Sequence, residues 1–523
     1  MNNRITDKAV IYNIYPTSFF DGNGDGIGDL AGITQKLEYV AELADYVWIN
    51  PVFASPFRDG GYDITDYYAI DERFGTMDDL KALIRRADEL GLKVLLDLVV
   101  GHTSDEHPWF KSSQKSERNE YSDRYIWTDG VFDSCPYRNV ISGNSERNGN
   151  YFVNFFYHQP ALNFGFASVK YPWQMHYTDA RIQPLKDEVV NIICFYMEMG
   201  VTGFRVDMAN SIVKDDKDGS ASTEVWNEIF GKVREKYPHA TFISEWGIPA
   251  RSINAGYDID FITHCHNDGY NRLFRKEAGT NVLTSDGDSF FRPAGRGEAD
   301  TFFDYFLSNL ESVGDRGFIS VPSGNHDLPR LALDRSDDGM MAAFALILAL
   351  PCVPLIYYGD EIGIKFNATL GKDGGYNRTG ARTPMQWSAE KNAGFSTADA
   401  DALYLPVNAD YTSRNAKAQS NSEDSLINTV KRLLKIRRYY PQLGSRAQLE
   451  VLSRTYPLVL KLSGEESDIF ALINPSAEEH SVTLTGAKIL ESNNVTRVGD
   501  TFTLGAESFA WIEADKNAQA VYK

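Results

Sequence analysis

The chain has 523 residues, of which 43% are hydrophobic, 13% aromatic and 24% charged, a balance that excludes wholesale disorder, collagen-like repetition and a long coiled coil. Lys plus Arg number 52 and Asp plus Glu 72, a formal net charge of -20 that repels phosphate backbones and anionic membrane surfaces. Nucleic acid and membranes are therefore poor partners, while a neutral small-molecule substrate remains possible; a monomer or small homo-oligomer is expected.

The opening MNNRITDKAV has no apolar stretch of signal-peptide length, which predicts a cytoplasmic chain or one already processed. Short β-branched and apolar runs then recur at Ile11–Tyr15, Tyr46–Asn50, Lys93–Val100, Gly203–Asp207, Thr241–Glu245, Ile259–His264, Phe318–Pro322 and Cys352–Tyr358. Amphipathic stretches such as Met77–Leu90, Ile182–Met199 and Ala221–Lys236 separate them. Near-continuous apolar strands alternating with helices predict a parallel sheet covered by helices, and eight such strands fit a closed (β/α)8 barrel better than an open doubly wound sheet. The longest apolar run, Met340 to Tyr358, is interrupted by Pro351 and Pro354 and reads as a buried helix followed by a buried strand, not as a bilayer span.

Between the third strand and the next helix lies a long aromatic, Asn-, Ser- and Gly-rich excursion, Thr103 to Tyr177, of the kind that surrounds a barrel's active face. After the helix Ser425–Arg438 the pattern changes to short alternating runs: Leu449–Leu452, Leu458–Ser463, Ile469–Asn474, Ser481–Thr485 and Phe502–Leu504. The expected organisation is an α/β barrel formed by residues 1–102 and 178–444, an inserted domain over 103–177 and a C-terminal antiparallel β-sandwich over 445–523. The four cysteines, Cys135, Cys194, Cys265 and Cys352, are too scattered for a disulfide framework or zinc ribbon and read as free thiols. His264 and His266 could share a metal from one strand face, but no third ligand stands near them in the sequence.

Residues at the C-terminal end of a barrel strand face the mouth, so a polar residue ending an apolar strand calls for an explanation. Four strands end this way. The third runs KVLLDLVVGHTS, with Asp97 and His102; the fourth GFRVDMAN, with Arg205 and Asp207; the fifth TFISEWG, with Glu245; the seventh FISVPSGNHDLPR, with Asn325, His326, Asp327 and Arg330. Two carboxylates flanking a glycosidic bond suffice for glycoside hydrolysis, one as nucleophile and one as general acid/base. Arg205, two residues before Asp207 on the same strand face, is placed to keep that carboxylate ionised, and Glu245, before Trp246, suits the proton donor. Asp327 is the third carboxylate, set to grip ring hydroxyls, with His102 and His326 donating hydrogen bonds.

The strings VIYNIYPTSFFDGNGDGIGDL, DLVVGHTSDEHPWF, GFRVDMAN, ISEWG, SGNHDLPR and ARTPMQW resemble, in this order, the signature regions of the α-amylase superfamily of retaining glycoside hydrolases, most closely its α-glucosidase and oligo-1,6-glucosidase branch. The resemblance implies a covalent glucosyl intermediate, with Asp207 matching the nucleophile, Glu245 the acid/base and Asp327 the transition-state stabiliser. Asp97, His102, Arg205 and His326 match the hydrogen-bonding set around the first sugar, and Tyr62 the aromatic platform beneath it. Asp59 and Arg382 resemble the pair that closes the pocket over the non-reducing end in exo-acting members. The implied activity is release of one terminal glucose from short malto- or isomalto-oligosaccharides, with no organic cofactor. A glucosyl-transferring or isomerising relative such as a trehalose synthase, an endo-acting α-amylase and a non-catalytic glucosidase-like subunit are the alternatives.

The loop Asp21 to Asp29 alternates oxygen side chains with glycines, opening like an EF-hand but with Gly32 where the bidentate Glu would stand. Its chemistry suits a hard cation or an ion-free cluster of Asx-turns. The resemblance implies a structural Ca2+ held by Asp21, Asn23, Asp25 and Asp29 with the Ile27 carbonyl. Gly101 replaces the usual Asn before His102, and Ala161 the usual Asp in HQPALNFG, which predicts loss of the second calcium site of α-amylases. Met208, after the nucleophile, matches neither residue habit that selects a linkage.

Overall fold

The structure, a computed structural model, describes residues 4–133, 136–143, 145–263, 269–275 and 289–522. Cys135, Cys265, His264 and His266 lie outside the described residues.

Eight parallel strands close a barrel in sequential order: Ile11–Ile14, Tyr46–Ile49, Lys93–Leu98, Gly203–Val206, Thr241–Ser244, Ile259–Phe261, Phe318–Pro322 and Val353–Tyr357. All but the solvent-facing Lys93 are buried along their length, as strands walled by helices on one side and packed barrel interior on the other must be. The helix Met77–Glu89 shows how the wall is written locally. The Thr76 hydroxyl caps it by accepting from the Asp79 amide, the Thr76 amide donates in return to the Asp79 carboxylate, and Leu80, Leu83, Ile84 and Ala87 form its single buried stripe.

The chain divides into two compact units: one comprises Met1–Val47, Phe261–Lys372 and Tyr376–Lys523, the other Trp48–Asp260 and Asp373–Gly375. The expected insert, 103–177, falls wholly within the second unit and the expected C-terminal domain wholly within the first.

In the first unit the long apolar run resolves into the helix Asp337–Ala349, capped by Ser336 and buried from Gly339 to Ala349, followed by the eighth barrel strand. Among the described residues no helix is long and apolar enough to cross a membrane. That helix is buried because the helix Leu426–Tyr439 and the C-terminal strands cover it, and Trp511 Nε1 donates to the Ala345 carbonyl at 3.2 Å. The C-terminal domain is an antiparallel sheet of seven strands. Two of its features go beyond the sequence pattern: the strand Lys488–Val498 and the length of its partner, Thr501–Asp515. Polar residues and register shifts near Glu491 and Asn494 break the alternation that marks a strand in sequence, while the pairing itself persists through them. Cys194 and Cys352 are free thiols, and burial pushes Cys352 up to about 11.

In the second unit the insert has its own small core of Ile126, Phe152, Ala161 and Phe166, with Tyr137, Val140 and Trp173 packed against it.

Candidate active site

Strand register builds the second unit's part of the site. Asp97 on the third strand pairs with Arg205 on the fourth, and Val206 pairs with Ser244 on the fifth. Asp207 and Glu245 are thus the next residues on neighbouring strands, each one position past its strand's end rather than within it. Arg205 is buried among them. Its Nη1 donates to Asp97 Oδ1 at 2.7 Å and Asp207 Oδ1 at 3.0 Å, and its Nη2 lies 2.7 Å from Glu245 Oε2. The planar fork of a guanidinium reaches the three carboxylates from two nitrogens, whereas an ammonium offers all its donors from a single point.

The other face of Asp97 is held as firmly. Its Oδ2 accepts from the Tyr62 hydroxyl at 2.9 Å and Trp48 Nε1 at 3.1 Å, while Asn50 Nδ2 donates to the Tyr62 oxygen at 2.7 Å. Asp97 and Tyr62 therefore orient Arg205, and the Arg205 guanidinium lies over the rings of Trp48 and Tyr62.

Glu245 is fixed by the turn after Asp207. Met208 takes a left-handed conformation, φ 44°, unusual for a side chain of its size, and this turns its amide to donate to Glu245 Oε2 at 3.0 Å. Glu245 Oε2 accepts from both Arg205 and Met208, and Oε1 takes neither donor.

The expectation that Arg205 holds the Asp207 carboxyl low is corrected by its surroundings. Burial pushes Asp207 well above the ordinary carboxylate range; Arg205 pulls it down, and Glu245, Asp97 and Asp59 push it up again. One cation shared by several carboxylates in a desolvated site cannot lower them all.

His102 is buried with its ring held at both nitrogens. A carbonyl can only accept, so Nε2 donates to the Tyr62 backbone carbonyl at 2.9 Å, leaving Nδ1 as acceptor, 3.4 Å from Asn154 Nδ2. Burial lowers His102 to about 4, which keeps it neutral. Asn154 also donates to the Gly101 carbonyl and accepts from Lys214 Nζ, which donates in turn to the Ser211 carbonyl at 2.6 Å. A Cβ at position 101 would meet Asn154 Nδ2 at 2.8 Å, so an asparagine could not stand there without displacing it. Asp59 Oδ2 accepts from Gln159 Nε2 at 2.7 Å, which ties Asp59 to the insert.

The first unit carries the third carboxylate. Asp327 Oδ2 is 3.1 Å from His326 Nε2, and its Oδ1 receives Arg378 Nη1 at 2.8 Å and Arg382 Nη2 at 3.0 Å. Burial alone would raise Asp327, but His326, Arg378 and Arg382 together outweigh it and hold the carboxyl well below its usual range. Arg382 Nε also donates to the His326 carbonyl, and the His326 ring stacks on Tyr15. Arg382 thus stands as an Asp327 partner.

In the same unit, the loop Asp21 to Asp29 folds on its own amides. Asp21 accepts from Gly24 and Gly26, Asn23 from Asp25, Asp25 from Ile27, and Asp29 from Gly22, Asn23 and Gly32. Among the described residues no group of three or more His, Cys, Asp or Glu stands close enough to hold a metal. The donor set is nonetheless one of hard oxygens, and a carboxylate oxygen accepting one amide keeps a second lone pair.

Sequence reasoning missed Trp48, Asn50, Asn154, Gln159, Lys214 and Arg378. Arg378 stands four residues before Arg382 in a Gly-rich stretch, and that spacing was its one visible signal. The others act through contacts distant in sequence.

The family described as Alpha amylase, catalytic domain, matches residues 13–445. The chain belongs to the α-amylase family. It is 33% identical over 499 residues to an oligo-1,6-glucosidase of Parageobacillus thermoglucosidasius, with 83% of each chain covered. It is 28% identical over 531 residues to the trehalose synthase/amylase TreS of Mycobacterium tuberculosis (strain CDC 1551 / Oshkosh), covering 89% of this chain and 81% of the relative. An isomaltulose synthase of Erwinia rhapontici NX5, solved in complex with D-glucose, shares the fold at a TM-score of 0.82 and 24% identity, over 98% of this chain and 100% of that one. As an α-amylase-family member this protein is an enzyme, a glycoside hydrolase, and the barrel that bears its strand-end carboxylates is the family's catalytic domain.

Proposed function

We propose that this α-amylase-family hydrolase is a retaining, exo-acting α-glucosidase that removes the non-reducing terminal glucose of short malto- or isomalto-oligosaccharides. The observation that carries the reading is the Asp207–Arg205–Glu245 arrangement, two carboxylates at the ends of adjacent strands oriented by one guanidinium. In the first step Asp207 attacks the anomeric carbon. The bond to the leaving oxygen breaks, and that oxygen keeps the electron pair and takes the proton from Glu245 Oε1. In the second, water attacks the same carbon, gives its proton to Glu245 and releases Asp207. Asp327, kept ionised by His326, Arg378 and Arg382, opposes the positive charge that develops on the sugar.

The resemblance assigns Asp59 and Arg382 to the non-reducing end of the substrate, and the likeness to oligo-1,6-glucosidases supports hydrolysis of terminal glucose. A second reading, glucosyl transfer or isomerisation through the same three carboxylates, is favoured by the likeness to a trehalose synthase/amylase. We assign a structural Ca2+ to Asp21, Asn23, Asp25, Asp29 and the Ile27 carbonyl, whose oxygens suit that ion; bound there, it would cross-link the turns of the loop.

Chromatography of products from maltopentaose, maltose and isomaltose tests the function. Early glucose with a substrate shortened by one unit is expected. Mid-length fragments overturn the exo assignment, and trehalose or longer oligomers overturn hydrolysis in favour of transfer. Asp207→Asn should abolish turnover with the fold retained; near-normal turnover in that variant removes Asp207 as nucleophile.

A further inference from the structure

Asp260 lies on the sixth barrel strand, directly opposite Ser244 of the fifth, and is fully buried. Nothing in the proposed chemistry uses it, yet three donors from the segment around Glu245 converge on one of its oxygens. Ser244 Oγ reaches Asp260 Oδ1 at 2.6 Å, Trp246 N at 3.1 Å and Gly247 N at 3.2 Å. These donors come from the residue before Glu245 and the two residues after it.

Glu245 itself is tied to the fourth strand and the turn beyond it. Its amide donates to the Val206 carbonyl, and its own carbonyl accepts from Ala209 N. Those bonds hold Glu245 on the Asp207 side only. The chain then leaves the barrel through Gly247, whose φ of +76° demands a glycine, and the amides exposed by that bend are the ones Asp260 collects. The Asp260 side-chain oxygen gathers all three donors in a dry site, and the charge of a carboxylate strengthens those bonds. Burial raises Asp260 and the donors lower it, to a balance of about 6, so it is ionised at neutral pH.

We propose that Asp260 is a positioning residue for proton donation: by gathering Ser244, Trp246 and Gly247 it fixes the backbone on both sides of Glu245 and so aims the Glu245 carboxyl at the leaving oxygen. This rests on the reading of Glu245 as the acid/base. A purely structural clamp would affect all substrates alike. A clamp that aims the acid matters only where the leaving group needs a proton.

The test compares kcat/KM on the better of maltose and isomaltose with kcat/KM on α-D-glucosyl fluoride, whose fluoride leaves without protonation, using the full-length enzyme. Asp260→Ala is expected to lose about 100-fold on the disaccharide, the scale of a reacting group displaced by about 1 Å, and far less on the fluoride. Asp260→Asn keeps an acceptor oxygen for the three donors and should restore most of the disaccharide activity. Equal losses on both substrates, or no loss, overturn the proposal. If Asp260→Ala does not fold, as judged by circular dichroism, Ser244→Ala removes one donor and decides by the same ratio of losses. Glu245→Gln serves as the control. If it shows no preference for the fluoride, the acid assignment itself fails; if it does and the Asp260 variants do not, only the positioning role fails.

Discussion

Arg205→Lys keeps one positive charge in the site and removes the fork that distributes it. Arg205 serves Asp97 at 2.7 Å and Asp207 at 3.0 Å from one nitrogen, and Glu245 at 2.7 Å from another. A lysine brings a single nitrogen on a different stem, so at least one of the three carboxylates loses its hydrogen bond to the cation. A hydrogen bond to a charged group contributes about 1.5–3 kcal/mol, so losing the one to Asp207 or Glu245 should lower kcat/KM about 10- to 150-fold. The pH profile should move as well. Among the groups acting on Asp207, Arg205 is the one that lowers it, and the nucleophile must be ionised to attack. Weakening that pull raises the Asp207 ionisation, so the acidic limb of kcat/KM should shift to higher pH. The assay is kcat/KM against pH on maltose and isomaltose for both proteins, with thermal unfolding to confirm the fold. A variant with wild-type kcat/KM and an unmoved acidic limb would refute the shared-guanidinium reasoning.

Two further predictions concern stability. Glu361 is buried beneath two tyrosines, with Tyr12 and Tyr39 hydroxyls donating to its Oε1 at 2.8 and 2.6 Å, and burial raises it from 4.5 to about 7. A raised carboxyl binds more protons folded than unfolded, so its contribution is present at low pH and lost as pH rises from about 4.5 to about 7. Glu361→Gln should therefore gain stability relative to wild type between pH 5 and pH 8, by up to about 3 kcal/mol, in paired thermal melts; a pH-independent difference contradicts this. If the Asp21–Asp29 loop takes Ca2+, EDTA should lower the melting temperature and added Ca2+ restore it, with a stabilisation of about 2.7 kcal/mol at a hundredfold excess over Kd. Identical melting in EDTA and in excess Ca2+ removes that assignment.

The sequence by itself determined the barrel and the carboxylates at its strand ends, because both are local patterns. A buried parallel strand must be apolar along its length, and a polar residue at its C-terminal end is conspicuous for that reason. Asp207, Glu245, Asp327 and their neighbours Arg205 and His326 could be named without coordinates. Lys488–Val498 escaped because its polar residues and register shifts erase the period-two signal that pairing with Thr501–Asp515 makes unnecessary. What only the tertiary structure decided is how each charged group is shared and desolvated. Burial outweighs the pull of Arg205 and reverses the expected direction for Asp207, and Arg378 joins Arg382 on Asp327. Asp260 gathers donors from a strand that precedes it by more than a dozen residues. Protonation and orientation depend on burial and on partners distant along the chain, and those are properties of the folded environment that spacing in a sequence does not encode.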